Sequence, residues 1–321
     1  MKTLAKYLRN TFRLLIIEIR QLFVNVKYLG FVFSNKATIK WRMMLLSHSL
    51  EKGISLCDSR IDFGKRKAKD LFELIKKAEI SGNNNCFEFN EACSILQAYK
   101  DHRDRNKLDT FFLKGFDEIK EKSDLWSVGV DEIYKKNLFF EDSNQFYQLC
   151  KKRHSVREYS NEYVNKEIII KAIDICRLSP SACNRQMTKV FFSMNKEINQ
   201  KIADYIPGNS GTKNEKAIFL FICSDITAFD YFEVYQWYLN AGIFSAYLTL
   251  SLTSLNVASC IYQWPIGYKY SDNIKKMLSI PSNYEITTVL SVGNYKDKVK
   301  VLKSERKNVE EYFKISNDIM K

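Results

Sequence analysis

The sequence predicts helices and short strands packed in layers, α+β or α/β, behind a helical amino-terminal part. Three observations carry this. Runs rich in Val, Ile and Phe, bounded by polar turns, recur in the second half as strands do. Helical periodicity of apolar residues runs through the first half and returns between those runs. All four prolines (Pro180, Pro207, Pro265 and Pro281) lie in the second half, which leaves the first half free to be helical.

The elements follow in order. Residues 4–26 repeat Leu8, Phe12, Leu15, Ile16, Ile19, Leu22, Phe23 and Val26 at helical spacing, flanked by Arg9, Arg13, Arg20 and Lys27. Charges interrupt that stretch too often for a membrane span, and no small-residue cleavage site follows it. It reads as a basic amphipathic helix packed on the body or lying on an anionic bilayer. Periodic segments at 68–78, 89–99 and 109–120 read as helices, with a loop at 81–85. A short helix covers 145–152. Residues 167–178 form a helix capped by Asn165, with Glu167 in its first turn. Residues 188–194, 217–224, 258–262 and 286–293 are the strand candidates. Residues 231–255 form a long helix, uncharged from 237 onward and so expected to be buried on most sides. The expected divisions are 1–35, the amphipathic helix; 36–144, a helical extension; and 145–321, the layered domain.

Bulk composition narrows the function classes. With 45% hydrophobic and 14% aromatic residues, the 321-residue chain is globular. The net charge of +13 reflects either a Lys-rich composition or an anionic partner, such as a phosphate cofactor or acidic lipid. No zinc-finger or RNP-type pattern is present, so nucleic acid is not expected. Eight cysteines without a CxxC pair fit reduced thiols in the cytoplasm. Three histidines without HExxH argue against zinc.

Two segments concentrate chemistry. Arg153-His154-Ser155-Val156-Arg157 places two guanidiniums and a hydroxyl at alternate positions, which an extended chain turns to one side. Guanidinium forks suit phosphate oxygens, although such residues also populate ordinary solvated surfaces. Residues 179–186, Ser-Pro-Ser-Ala-Cys-Asn-Arg-Gln, form a polar turn that ends an apolar helix. Cys260, lacking an evident resolving partner, reads as a buried thiol. His48 and Glu51, three apart, are either a local acid–base pair or a helix salt bridge.

The two segments, 22 residues apart by their Arg157 and Ser179 boundaries, resemble the opening signatures of the FMN-dependent nitroreductase family. That resemblance implies an α+β fold with a central, mostly antiparallel sheet flanked by helices. It implies that Arg153 and Ser155 hold the FMN phosphate, that His154 between them belongs to the cofactor-binding set, and that Arg157 lies by the pyrimidine edge of the flavin. Pro180, Ser181, Asn184 and Gln186 match the family's turn, which reaches the flavin mainly from the partner subunit. Here Met187-Thr188 replaces the usual Pro-aromatic pair. Asn209 is implied as a polar-edge contact, and Asn240 stands where the family carries Asp. A backbone donor to flavin N5 is implied near Cys260, Ile261 and Tyr262. Arg306, assisted by Lys303, is implied to complete the phosphate site. The activity implied is hydride transfer from NAD(P)H to FMN and on to an electron-poor acceptor, in a homodimer. The alternatives are another flavin-dependent oxidation, or a degenerate non-catalytic partner in surface-polysaccharide biosynthesis. Asn240 in place of Asp and the altered loop after Gln186 favour the second, and its polysaccharide link comes from residues 47–53 and 60–64, which resemble an extension found on a subgroup linked to such gene sets.

Overall fold

A computed structural model describes residues 2–29, 36–56, 60–125, 143–209 and 216–315. The amino-terminal part is helical: α1 (Lys2–Tyr28), α2 (Lys36–Ser55), α3 (Lys65–Ile80), α4 (Phe87–Arg105) and the short α5 (Phe116–Lys120). Ala68, Leu71, Phe72 and Ile75 of α3 meet Phe89, Ala92 and Leu96 of α4 in one core with Leu50 of α2. Arg103 is buried in this lobe. Its guanidinium donates to Asp62 at 2.5 Å, to the Asp109 carbonyl at 2.9 Å and to the Tyr99 hydroxyl at 3.2 Å.

The helix expected over 109–120 is corrected. Phe111–Leu113 makes only one 3-10 turn, and Gly115, at φ +86°, starts a fresh five-residue helix. The apolar periodicity spans that glycine, but a left-handed residue cannot continue a right-handed helix.

The rest is α+β. The sheet has the order β1-β2-β4-β3 and is antiparallel throughout: β1 (Thr188–Phe191), β2 (Ile218–Asp225), β3 (Val257–Tyr262) and β4 (Tyr284–Asn294). All eight residues of β2 are buried. Ile218, Leu220 and Ile222 face a layer made by α7 (Lys166–Cys176) and α9 (Gln236–Ser254), whereas Phe219, Phe221 and Cys223 face a second core on the opposite side. A strand covered on both faces has no polar alternation, which is why β2 reads as a continuous apolar run. Thr287 bulges out of the β2–β4 ladder and returns its hydroxyl to the Ile222 carbonyl at 2.8 Å. Asn165 caps α7 by accepting from the Glu167 amide at 2.9 Å, as its sequence position predicts.

Two boundaries differ from expectation. β1 ends at Phe191 rather than 194. Residues 231–235 are not helical: Tyr235 adopts φ +69°, and Glu233 is held by Arg185 and by the Asp230 amide. α9 is covered on its other sides, and Leu239, Ala246 and Tyr247 are exposed along one face.

α2 joins the two parts. Met43 enters the helical core, while its neighbour Met44, with Trp41, packs against Met187, Phe229 and Trp237. The Trp41 indole donates to the Thr227 hydroxyl at 3.0 Å.

Candidate functional site

The site begins where α6 (Ser143–Lys152) ends. The chain leaves the helix extended and runs beside the edge strand β3. Ser155 forms one parallel bridge with Ser259, and the Val156 amide donates to the Ser259 carbonyl at 2.9 Å. Val156 is buried in the core. Alternation therefore turns Arg153, Ser155 and Arg157 away from that core, to one side. Tyr159 locks the segment from beneath: its hydroxyl donates to the Val156 carbonyl at 3.0 Å and lies 2.5 Å from the Ser291 hydroxyl. The Tyr159 ring lies directly over Gly293, where any Cβ would overlap it.

Arg153, His154, Ser155 and Arg157 line a cavity of ≈ 570 Å³ together with Lys303 and Arg306. Tyr147, Cys150, Lys151, Leu302 and Ser304 complete its wall. Among the described residues no carboxylate lines it, and five Lys and Arg side chains converge there. This donor set suits a phosphate monoester, whose oxygens accept several charged hydrogen bonds at once. The cations are not equal. Lys303 is almost fully exposed and 3.3 Å from Glu305, and Arg306 donates to the Ser304 carbonyl of its own loop. His154 Nδ1 donates to the Lys152 carbonyl at 2.9 Å.

β3 forms the floor. Cys260 is buried, and burial pushes its thiol above the ordinary range; Arg157, Ser155 and Arg153 oppose that shift only in part. The thiol is therefore neutral at pH 7, and the buried reading of Cys260 fits its surroundings. Tyr295 is likewise raised by burial, again opposed by Arg153. The Ser259 carbonyl points outward to Val156, so alternation points the Ile261 amide toward the same open edge. Ile261 is half exposed, whereas Tyr262 is buried.

The second segment lies elsewhere on the chain. Pro180, Ser181 and Gln186 line a separate cavity of ≈ 100 Å³ with Asn240 and Phe244 of α9. Cys183, Asn184 and Gln186 have φ of 51°, 49° and 52°. Three left-handed non-glycine residues within four positions are strained, a state that persists only where the surroundings over-determine it. The Ser181 hydroxyl accepts from the Gln186 amide at 3.1 Å, and Asn240 Oδ1 accepts from the Ala182 amide at 2.8 Å. An Asp could make that last bond as well, so Asn at 240 preserves the docking of the turn.

Arg185 supplies the main anchor. It is buried, forms a two-pronged pair with Glu233 (2.5 and 2.9 Å), and donates to the Ala228 carbonyl at 2.5 Å. Burial would raise the Glu233 carboxyl, but the bonds from Arg185 and the Asp230 amide outweigh it and hold the group below its ordinary value.

Within one chain the structure thus gathers Arg153, His154, Ser155, Arg157, Lys303 and Arg306, and sets Pro180, Ser181, Asn184 and Gln186 apart. Asn209 also lies outside the cationic cavity. It is buried, donates to the Ala203 carbonyl at 3.1 Å and accepts from the Tyr262 hydroxyl at 3.2 Å. Sequence reasoning missed Arg185 and the wall residues Tyr147 and Lys151, which lie four apart on one face of α6, just ahead of Arg153.

Comparison with known proteins finds similarity over part of this chain. The nitroreductase family model matches residues 150–226. No curated protein matches. Among solved structures, a Bacillus subtilis protein with a provisional nitroreductase name aligns over 55% of this chain and 100% of its own, at 17% identity and TM-score 0.48. A nitroreductase family protein from Streptococcus pneumoniae aligns over 53% and 100%, at 22% identity and TM-score 0.45. An FMN-dependent nitroreductase from Clostridium difficile aligns over 53% and 98%, at 23% identity and TM-score 0.42.

Proposed function

From a chain that carries the nitroreductase family pattern over residues 150–226, we propose an FMN-dependent oxidoreductase that takes hydride from NAD(P)H and passes it to an electron-poor acceptor by a ping-pong route. One observation carries the reading. Cations far apart in the carboxy-terminal sequence, Arg153 and Arg306, line a single cavity beside an open strand edge, with no carboxylate among its described lining residues.

In this reading Arg153, Ser155 and Arg306 hold the phosphate, with His154 and Lys303 as auxiliaries. FMN, when bound, supplies the hydride chemistry. The chain's residues position and polarise it. Arg157 provides a fixed positive charge at the pyrimidine edge, which favours the anionic reduced state. The Ile261 amide is the best-placed donor of the three candidates, Cys260, Ile261 and Tyr262, because it faces the open edge. Asn209 acts at one remove, by fixing Tyr262.

The second segment supports a homodimer in which Pro180, Ser181, Asn184 and Gln186 complete the partner's site. Its separation from the cationic cavity within one chain is what such sharing requires. The exposed face of α9, with Leu239, Ala246 and Tyr247, offers an apolar surface for the pairing. We place the protein in the cytoplasm and read 1–35, 36–144 and 145–321 as its divisions. The intact docking of Asn240 counts against a degenerate, non-catalytic reading.

The test is direct. Heating the purified protein should release FMN, identified by its mass, and NADH or NADPH should bleach the flavin absorbance of the intact protein anaerobically. A colourless protein that takes up no added FMN would end the proposal. Flavin reduced by a biosynthetic intermediate but not by NAD(P)H would favour the other oxidation.

A further inference from the structure

α1 turns its broad apolar stripe away from its own protein. The residues it buries outright are polar, with Val24 and Tyr28 partly buried beside them: Gln21 and Asn25 are 5% and 7% exposed, and Gln21 Nε2 donates to Asn25 Oδ1 at 2.9 Å. The residues it exposes are large and apolar. Phe12, Leu15, Ile16, Ile19, Leu22 and Phe23 are each 45–71% exposed. At about 100° per residue these six fall within an arc of about 120° that points away from Gln21.

The charges are sorted with equal regularity. Lys6, Arg9, Arg13, Arg20 and Lys27 fall in the next arc of about 60°, along one flank of the apolar stripe. Arg20 reaches Asp272 at 3.4 Å across an exposed contact. The helix's one acid, Glu18, lies on the other flank and accepts from the Tyr235 hydroxyl at 3.3 Å. The seat of α1 is loose: a cavity of ≈ 270 Å³ separates Gln21 and Tyr28 from Ser271 and Lys275 of α10 (Ser271–Met277). No described helix is long and apolar enough to cross a membrane.

We propose that α1 docks in the plane of an anionic phospholipid bilayer, with the Phe12–Phe23 stripe at the headgroup boundary and the Arg9–Lys27 flank against lipid phosphates. An apolar arc alone would also suit a second copy of the chain. The one-sided row of cations decides between them, because it complements phosphate and would set like charges along a self-paired seam. Long basic side chains can keep their heads at the phosphates while their stems cover apolar surface. The proposal is independent of the flavin reading.

The experiment uses the full chain as purified, sedimented with phosphatidylglycerol–phosphatidylcholine vesicles or with phosphatidylcholine alone. Cosedimentation with the mixed vesicles should be at least about tenfold greater and should fall at high salt. Leu15→Glu/Leu22→Glu changes two exposed positions, so folding and flavin content should be retained while binding is lost. Arg9→Glu/Arg13→Glu should lose binding equally. Wild-type protein that stays in the supernatant, or stripe variants that bind as the wild type does, would overturn the proposal. So would a vesicle-free particle mass that falls in the Leu15→Glu/Leu22→Glu variant, since the stripe would then be covered by a second copy. Flavin content, read on the same samples, keeps this outcome separate from that of the proposed activity.

Discussion

Arg153 and Arg306 make the sharpest residue-scale predictions. Each charged hydrogen bond to phosphate contributes about 1.5–3 kcal/mol, so Arg153→Ala should lower FMN affinity by roughly 10- to 100-fold with the melting temperature little changed. Equilibrium dialysis of the apoprotein with FMN reads this. Arg185 should behave in the opposite way. Its removal leaves Glu233 half buried and unpaired, which costs about 3–5 kcal/mol, so Arg185→Met should lower stability first and flavin binding only as a consequence. The same pair sets a pH dependence. The Glu233 carboxyl titrates below its ordinary value in the folded state, so its stabilisation is complete at neutral pH and is lost as acid protonates it below the ordinary glutamate range. The variant should lack that acid arm in urea titrations. Among the thiols, exposed Cys150 should be alkylated well before buried Cys260 at pH 8, as peptide mass mapping would show. The candidate residues that a reader of the sequence can find are those whose chemistry is local, such as the alternating Arg153, Ser155 and Arg157. Arg185 was invisible because its partner Glu233 lies 48 positions away and nothing in either neighbourhood announces the pair.

The elements differ in how openly the sequence declares them. β2 is legible because an unbroken run of Ile, Phe and Leu precedes a polar turn, and β4 because Ile286, Val289, Leu290 and Val292 cluster with β-branched threonines. α7 is legible because Asn165 and Glu167 mark its start. The interrupted helix at 111–120 shows the limit of periodicity: a glycine inside an apolar pattern is compatible with a helix until its backbone goes left-handed. The late start of α9 has a tertiary cause, since Glu233 is recruited by Arg185 and the Asp230 amide. At this scale Gly293 provides the test. A methyl group there would intrude on the Tyr159 ring that holds the Arg153–Arg157 segment, so Gly293→Ala should destabilise by about 1–3 kcal/mol and weaken flavin binding together, unlike Arg153→Ala. Parallel chemical denaturation and FMN titration would separate the two.

Across the whole molecule, the proposed homodimer rests on a placement that the sequence alone does not display, because the turn at 181–186 and the cationic cavity lie apart within one chain. Leu239→Glu/Tyr247→Glu should give a monomer by light scattering and a loss of flavin, although neither side chain lines the cationic cavity. The helical extension, too, showed its periodicity but not its attachment. Consecutive methionines on one helix, Met43 and Met44, sit in different interiors. Heating therefore has no seam along which to part the extension from the sheet. Calorimetry should record one endotherm for both, and deleting the extension would leave the remainder with a raw apolar wound around Met187, Phe229 and Trp237 instead of a free-standing enzyme.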